Sequence, residues 1–150
     1  MIADIKRILI VDDSPEDVEL MIASLVKNGL ANEIIVAEDG EEALDYLYKR
    51  GKFVDVNGLP AVILLDIKMP RMNGIEVLRH IRSDSGVQLI PVIMVTSSRE
   101  EKDLVESYKL GANSFVVKPV DIIQFIDVIK ALGQYWAVIN EPLPLSYKLG

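Results

Sequence analysis

AVILLDIKMP (residues 61–70) sets five apolar residues in a row, then Asp66, then a stretch that Pro70 ends. A short, continuous apolar run suits a strand buried on both faces, and such strands belong to parallel sheets covered by helices. This run closes on a bare carboxylate. A charge at the mouth of a core costs free energy unless something pairs with it, so the partners of Asp66 must come from other segments.

Further β-rich runs lie at 8–11, 34–37, 92–95 and 115–117, with helix-period segments between them. After the first run, Val18, Met21, Ile22, Leu25 and Val26 recur at the three- and four-residue spacing of one apolar helix face. Ser14 suits the N-cap of that helix, Pro15 its first position, and Glu16 and Asp17 the positive end of its dipole. Segments 40–48, 74–81, 99–110 and 121–135 repeat the pattern. Five β-α alternations predict a doubly wound α/β domain: a five-stranded parallel sheet with right-handed crossovers and helices on both faces. A long connection, RGKFVDVNGLP (50–60), precedes the third strand, and INEPLPLSYKLG (139–150) follows the last helix. The prolines of that tail argue against more helix, while Leu143, Leu145, Tyr147 and Leu149 remain able to pack on something.

At 150 residues the chain suits one domain with a full core. Its 23 acids outnumber its 16 bases, the net charge is −7 and no dense basic cluster occurs, so direct nucleic-acid binding is not expected. The absence of cysteine removes disulfides and thiolate metal sites and fits a reducing interior. Neither a signal-peptide core nor an apolar stretch of membrane-spanning length is evident, so a cytoplasmic protein without a membrane is expected.

In an open parallel sheet, ligands bind outside the carboxyl ends of the strands. The first strand ends in Asp12 and Asp13, the third in Asp66, the fourth in Thr96, and the fifth in Lys118 followed by Pro119; the second ends in Ala37. Taken singly, several have a plain structural explanation. Asp12 and Asp13 could lead into the helix that Ser14 caps, Thr96 could be a cap, and Lys118 a solvated turn residue. Their convergence on one sheet edge favours a function. Two carboxylates about 4 Å apart repel by roughly 4 kcal/mol at an effective dielectric of 20, so three need a cation. Lys118 is expected to neutralise one, and a small hard Mg²⁺, with Mn²⁺ as an alternative, suits the remainder. Such a set describes a phosphoryl-transfer site, with an acid nucleophile and stabilisers aimed at the migrating charge.

The motifs LIVDDSPED, ILLDIKMPRMNGIEVL, PVIMVTS and LGANSFVVKPV, in that order, resemble the receiver domain of response regulators in two-component signalling, over roughly residues 6–136. The resemblance implies the flavodoxin-like fold with strand order 2-1-3-4-5. It implies Asp66 as phosphoacceptor, Asp13 as direct metal ligand, Asp12 acting largely through water, and the backbone carbonyl of Lys68 as a further ligand. Thr96 and Lys118 would contact phosphoryl oxygens, and the bond before Pro119 would be cis, aiming Lys118 inward. It also implies a switch in which Thr96 moves toward the phosphate and Phe115 follows. Phe115 lacks a hydroxyl, so its readout would be steric; otherwise it is a core strand residue. A stand-alone regulator of this kind accepts its phosphoryl group from a phosphohistidine of a sensor kinase and signals by association rather than by turnover.

The long connection and the texture of residues 107–120 resemble single-domain receivers, common in cyanobacteria, that serve phytochrome-type histidine kinases. Members of that subgroup dimerise through the fourth helix, fifth strand and fifth helix, which nominates Ile122, Phe125, Ile126 and Ile129 as a homodimer face. The receiver domain is then expected at residues 1–136, with 137–150 as an extension at the interface. Three alternatives stand beside this reading. A haloacid-dehalogenase-like phosphatase would want an acid two residues past the nucleophile, where Lys68 stands. A flavodoxin-like cofactor module would meet repulsion from DDSPED. A receiver-like scaffold independent of phosphorylation would not need the full acid set.

Overall fold

The computed structural model describes residues 6–30 and 33–143. β1 (Arg7–Val11), β2 (Glu33–Ala37), β3 (Val62–Leu65), β4 (Val92–Thr96) and β5 (Ser114–Val117) alternate with α1 (Pro15–Lys27), α2 (Gly40–Leu47), α3 (Gly74–Ser83), α4 (Glu101–Lys109) and α5 (Ile122–Gly133). The strands form one parallel sheet in the order β2-β1-β3-β4-β5. This is the doubly wound arrangement expected.

Strand alternation divides the core in two. Leu9, Val11, Ile63, Leu65, Val92 and Met94 face α2 and α3, where Leu44, Leu47, Leu78 and Ile81 meet them. Ile8, Ile10, Val62, Leu64, Ile93 and Val95 face α1 and α5, packed by Met21, Leu25, Phe125 and Ile129. Four helix starts are capped by side chains that accept a backbone N–H three residues on: Ser14, Asp39, Asn73 and Asp121. Pro15 occupies the first turn of α1, as its fixed φ favours.

The 50–60 connection is anchored at the amino edge of the sheet. It contains a short 3₁₀ turn, Gly51–Phe53, and the Phe53 ring meets Tyr46 edge-on at 5.4 Å. Buried Arg7 donates to the Tyr46 hydroxyl, the Asn57 carbonyl and Glu33, so an arginine at the start of a core strand has its charge paired.

Two expectations about the last helix change. The helical path does not stop near Tyr135 but continues as π-helical turns over Gln134–Ile139, with Lys6 Nζ donating to the Val138 carbonyl at 3.1 Å. Together Ile122–Ile139 makes 18 residues of mean hydropathy 1.3, the one helix among the described residues long and apolar enough to cross a membrane by length and composition. Asp127 and Lys130 interrupt the run in the sequence, which is why no such stretch was evident there. Its inward stripe, Phe125, Ile129, Gly133 and Ala137, is buried within the fold. For that reason Phe125 and Ile129 cannot belong to an exposed dimer face, and Ile126 is half-buried. At the start of this helix the exposed apolar residues are Ile122 and Ile123, with Val120 just before it, and past Gly133 they are Tyr135, Val138 and Ile139. Ile122 shares the angular position of Ile129 but is the first residue of α5, while Ile123 stands about 100° further round and Val120 precedes the helix. Leu143 is described, whereas Leu145, Tyr147 and Leu149 lie outside the described residues.

Gly74 allows the turn after Asp66 to close. Its N–H donates to the Ile67 carbonyl at 2.9 Å, and a Cβ there would stand 2.0 Å from the Asp66 carbonyl oxygen. Gly74→Ala is therefore expected to lower the unfolding free energy by about 3 kcal/mol in urea titrations, because the obstacle is backbone and cannot rotate away.

Candidate functional site

Register brings the site together. Val11 pairs with Leu65 across β1 and β3, and the pairing continues one residue further as Asp66 N–H donates to the Val11 carbonyl at 2.9 Å. Asp12 N–H donates to the Ala37 carbonyl at 3.1 Å, and Lys118 N–H to the Thr96 carbonyl at 2.7 Å. Asp12, Asp66 and Lys118 are thus each the first residue beyond a hydrogen-bonded strand, and Thr96 is the last residue of β4. Asp12, Asp66, Thr96 and Lys118 are all buried at this carboxyl edge, while Asp13 is exposed.

One oxygen from each of Asp12, Asp13 and Asp66 lies within 4.8 Å of the others. Asp12 is fixed by the Ser14 N–H at 2.9 Å, and Asp66 by the Ile67 N–H at 2.7 Å. Lys118 projects among them. Its Nζ donates to Asp12 at 2.7 Å, to Asp17 at 2.8 Å and to Asp66 at 3.3 Å. Lys118 donates to three acids, while its single charge still balances only one of them, as expected from sequence.

Asp17 was read from sequence only as a charge favourable to the helix dipole. Its further role lay in its place on the first turn of α1, beside the strand end that the helix leaves.

Burial alone would lower the pKa of Lys118. The hydrogen bonds to Asp12 and Asp17 and the charge of Asp66 overcome it and hold the ammonium above the usual lysine range. Asp12 is raised as well, chiefly by burial, in spite of the bonds from Lys118 and Ser14. Burial thus drives the shift of Asp12, while the acids around Lys118 drive its own. That donor set of hard carboxylate oxygens fits a divalent cation.

The expected cis bond before Pro119 is absent, since no peptide bond among the described residues is cis. A trans bond is the ordinary state of an X-Pro pair, and Lys118 already reaches the acids from the end of β5 without isomerisation. Thr96 Oγ1 accepts the Ser98 N–H at 3.2 Å. Ser98 in turn donates to Asp103 at 2.6 Å, so it braces the start of α4. The Lys68 side chain is exposed and lies 3.6 Å from Glu100 and 3.8 Å from Asp103, across the mouth of the site. Phe115 pairs with Met94 in register and is half-buried against the α2–α3 core.

Fold and site together define a doubly wound domain with an acid cluster and one lysine at its carboxyl edge. Residues 8–130 match the family described as the response regulator receiver domain, and the chain belongs to it. It is 30% identical over 131 residues to the response regulator Rcp1 of Synechocystis, covering 87% of this chain and 88% of that protein. The structure of the phosphorylated cyanobacterial phytochrome response regulator RcpA superposes with a TM-score of 0.87 at 30% identity, covering 92% of this chain and 98% of that one. The bacteriophytochrome response regulator RtBRR is 52% identical, with a TM-score of 0.73, covering 95% and 86%. Rcp1 also has a structure described as its Mn²⁺-bound form, 29% identical to this chain, with a TM-score of 0.86 and coverage of 91% and 98%. Receiver domains are the phosphoacceptors of two-component signalling, and this chain is one of them. The phosphatase and flavodoxin-like readings are not favoured.

Removing the ammonium while keeping the acids tests the charge balance. Lys118→Met is expected to cost about 3 kcal/mol in metal-free urea unfolding, because buried Asp12 and Asp66 lose their partner. Adding Mg²⁺ should restore more stability to the variant than to the wild type.

Proposed function

We propose that this protein is a response regulator that accepts a phosphoryl group on Asp66 from the phosphohistidine of a sensor kinase of the phytochrome type. The observation that carries the reading is the gathering of three carboxylates, Asp66 among them, and one ammonium at the carboxyl edge of the sheet. Asp66 is buried, its Oδ1 held by the Ile67 N–H and its Oδ2 turned toward Lys118. Asp12, Asp13 and Asp66, with the backbone carbonyl of Lys68, would hold Mg²⁺ or Mn²⁺. The ion supplies positive charge that offsets repulsion between the acids and an incoming phosphate.

The chain's own residues orient the exchange. Lys118 offers its ammonium to a phosphoryl oxygen, and the Thr96 hydroxyl, by leaving the Ser98 N–H, supplies a further donor. That movement loosens the start of α4, and half-buried Phe115 follows into the space beside β4. A cleft of about 990 Å³ opens from Asp12 and Asp13 along α1, floored by Val18, Ile22 and Val26, which suits a protein donor. The kinase assignment draws support from RcpA and RtBRR, described as phytochrome and bacteriophytochrome response regulators.

Signalling proceeds by association, including homodimers on the face of α4, β5 and α5. Ile122 and Ile123 are exposed there, and Val120 is 95% exposed. The receiver unit is taken as residues 1–136, and the extension from 137 continues the helix to Ile139 before the proline-containing tail. Location in the cytoplasm follows from the proposed kinase partnership.

Incubation with Mg²⁺ and acetyl phosphate, followed by electrophoresis that retards phosphoproteins, is expected to give a shifted band for the wild type and none for Asp66→Asn. Equal modification of both proteins would sink the assignment, and no modification of either would favour a phosphorylation-independent scaffold.

A further inference from the structure

The ammonium of Lys118 has three donors, and its two short contacts are unequal in kind. Asp12 at 2.7 Å is almost wholly buried and is also tied to the Ser14 N–H. Asp17 at 2.8 Å stands on the first turn of α1 with 30% of its side chain exposed. Asp66 receives the longest of the three bonds, 3.3 Å. For Lys118 to bind a phosphoryl oxygen on Asp66, one carboxylate must give up its donor. Stripping the ammonium from Asp12 would strand a buried charge. Asp17 can be released at lower cost, because water reaches it and the positive end of the α1 dipole continues to favour its charge.

We propose that Asp17 is a positioning residue: it holds the Lys118 ammonium in the unphosphorylated protein and competes for it with the phosphoryl group. The proposal rests on Asp66 being the acceptor. Phosphorylation transfers one Lys118 donor from Asp17 to a phosphoryl oxygen, so the first turn of α1 loses its link to the end of β5. Asp17 thereby sets the affinity of the site for a phosphoryl group and makes α1 responsive to it.

Two measurements separate the parts of this proposal, using Asp17→Asn, Asp17→Ala as a second variant, and Glu19→Gln as a control. Glu19 is an exposed acid of the same helix, and the acids that Lys118 meets among the described residues are Asp12, Asp17 and Asp66. In the metal-free protein, NMR of lysine ammonium groups, with the Lys118 signal assigned by its loss in Lys118→Met, reads the hold directly. Wild type and Glu19→Gln should show a signal protected from exchange with water, and both Asp17 variants a faster-exchanging one. An unchanged signal in the Asp17 variants would overturn the hold. Titration with beryllofluoride and Mg²⁺ reads the competition. Asp17→Asn should bind roughly fivefold more tightly than wild type, while Glu19→Gln stays within about twofold. Equal gains for the two would reduce the effect to net charge and overturn the competition. If the ammonium signal responds but no protein binds beryllofluoride, the acceptor reading fails and the competition with it, while the hold stands.

Discussion

The ammonium of Lys118, ringed by Asp12, Asp17 and Asp66, is the constraint around which the carboxyl edge of this molecule is built. Acids brought to the ends of β1 and β3 repel one another in a poorly solvated place, and one lysine from the end of β5 meets all but exposed Asp13. The two core layers exist in part to make this tolerable. They fix the strand register tightly enough that side chains distant in the chain arrive within hydrogen-bonding distance.

The balance struck there is incomplete by design of the charge count. Lys118 is held firmly, yet Asp12 remains raised by its burial, so the pocket still favours added positive charge. A divalent cation and a phosphoryl group are complementary visitors to such a site: the first relieves the acids, and the second draws on the donors that the acids now occupy. Fold stability and phosphoryl chemistry are therefore coupled through the same few atoms. The connections around the site share the coupling, since Gly74 lies against the Asp66 backbone and Ser98 joins Thr96 to the start of α4.

Periodicity made most of the architecture legible. AVILL and PVIMV read as strands buried on both faces, and both are. DDSPED read as strand end, cap and helix start, and Ser14 and Pro15 occupy those places. The last helix was less legible. Its apolar residues exceed one stripe, and a linear pattern cannot say which of Ile122, Phe125, Ile126 and Ile129 turn inward. Packing against the sheet and α1 buried Phe125 and Ile129 and left Ile122 outside. The helix also ran past Tyr135, because nothing in QYWAVI stops a helix before Pro142.

By itself the sequence determined the alternation of strands and helices, the residues that close each strand, and the excess of acid over base at one edge, since all are properties of local order and spacing. Only the tertiary structure decided how that charge is shared. Asp17 joins the site because the first turn of α1 lies within reach of the Lys118 ammonium, and Lys118 serves three acids because register and packing place them around one nitrogen. Distances between segments 101 or 106 residues apart are fixed by packing of the whole domain, and no local pattern encodes them.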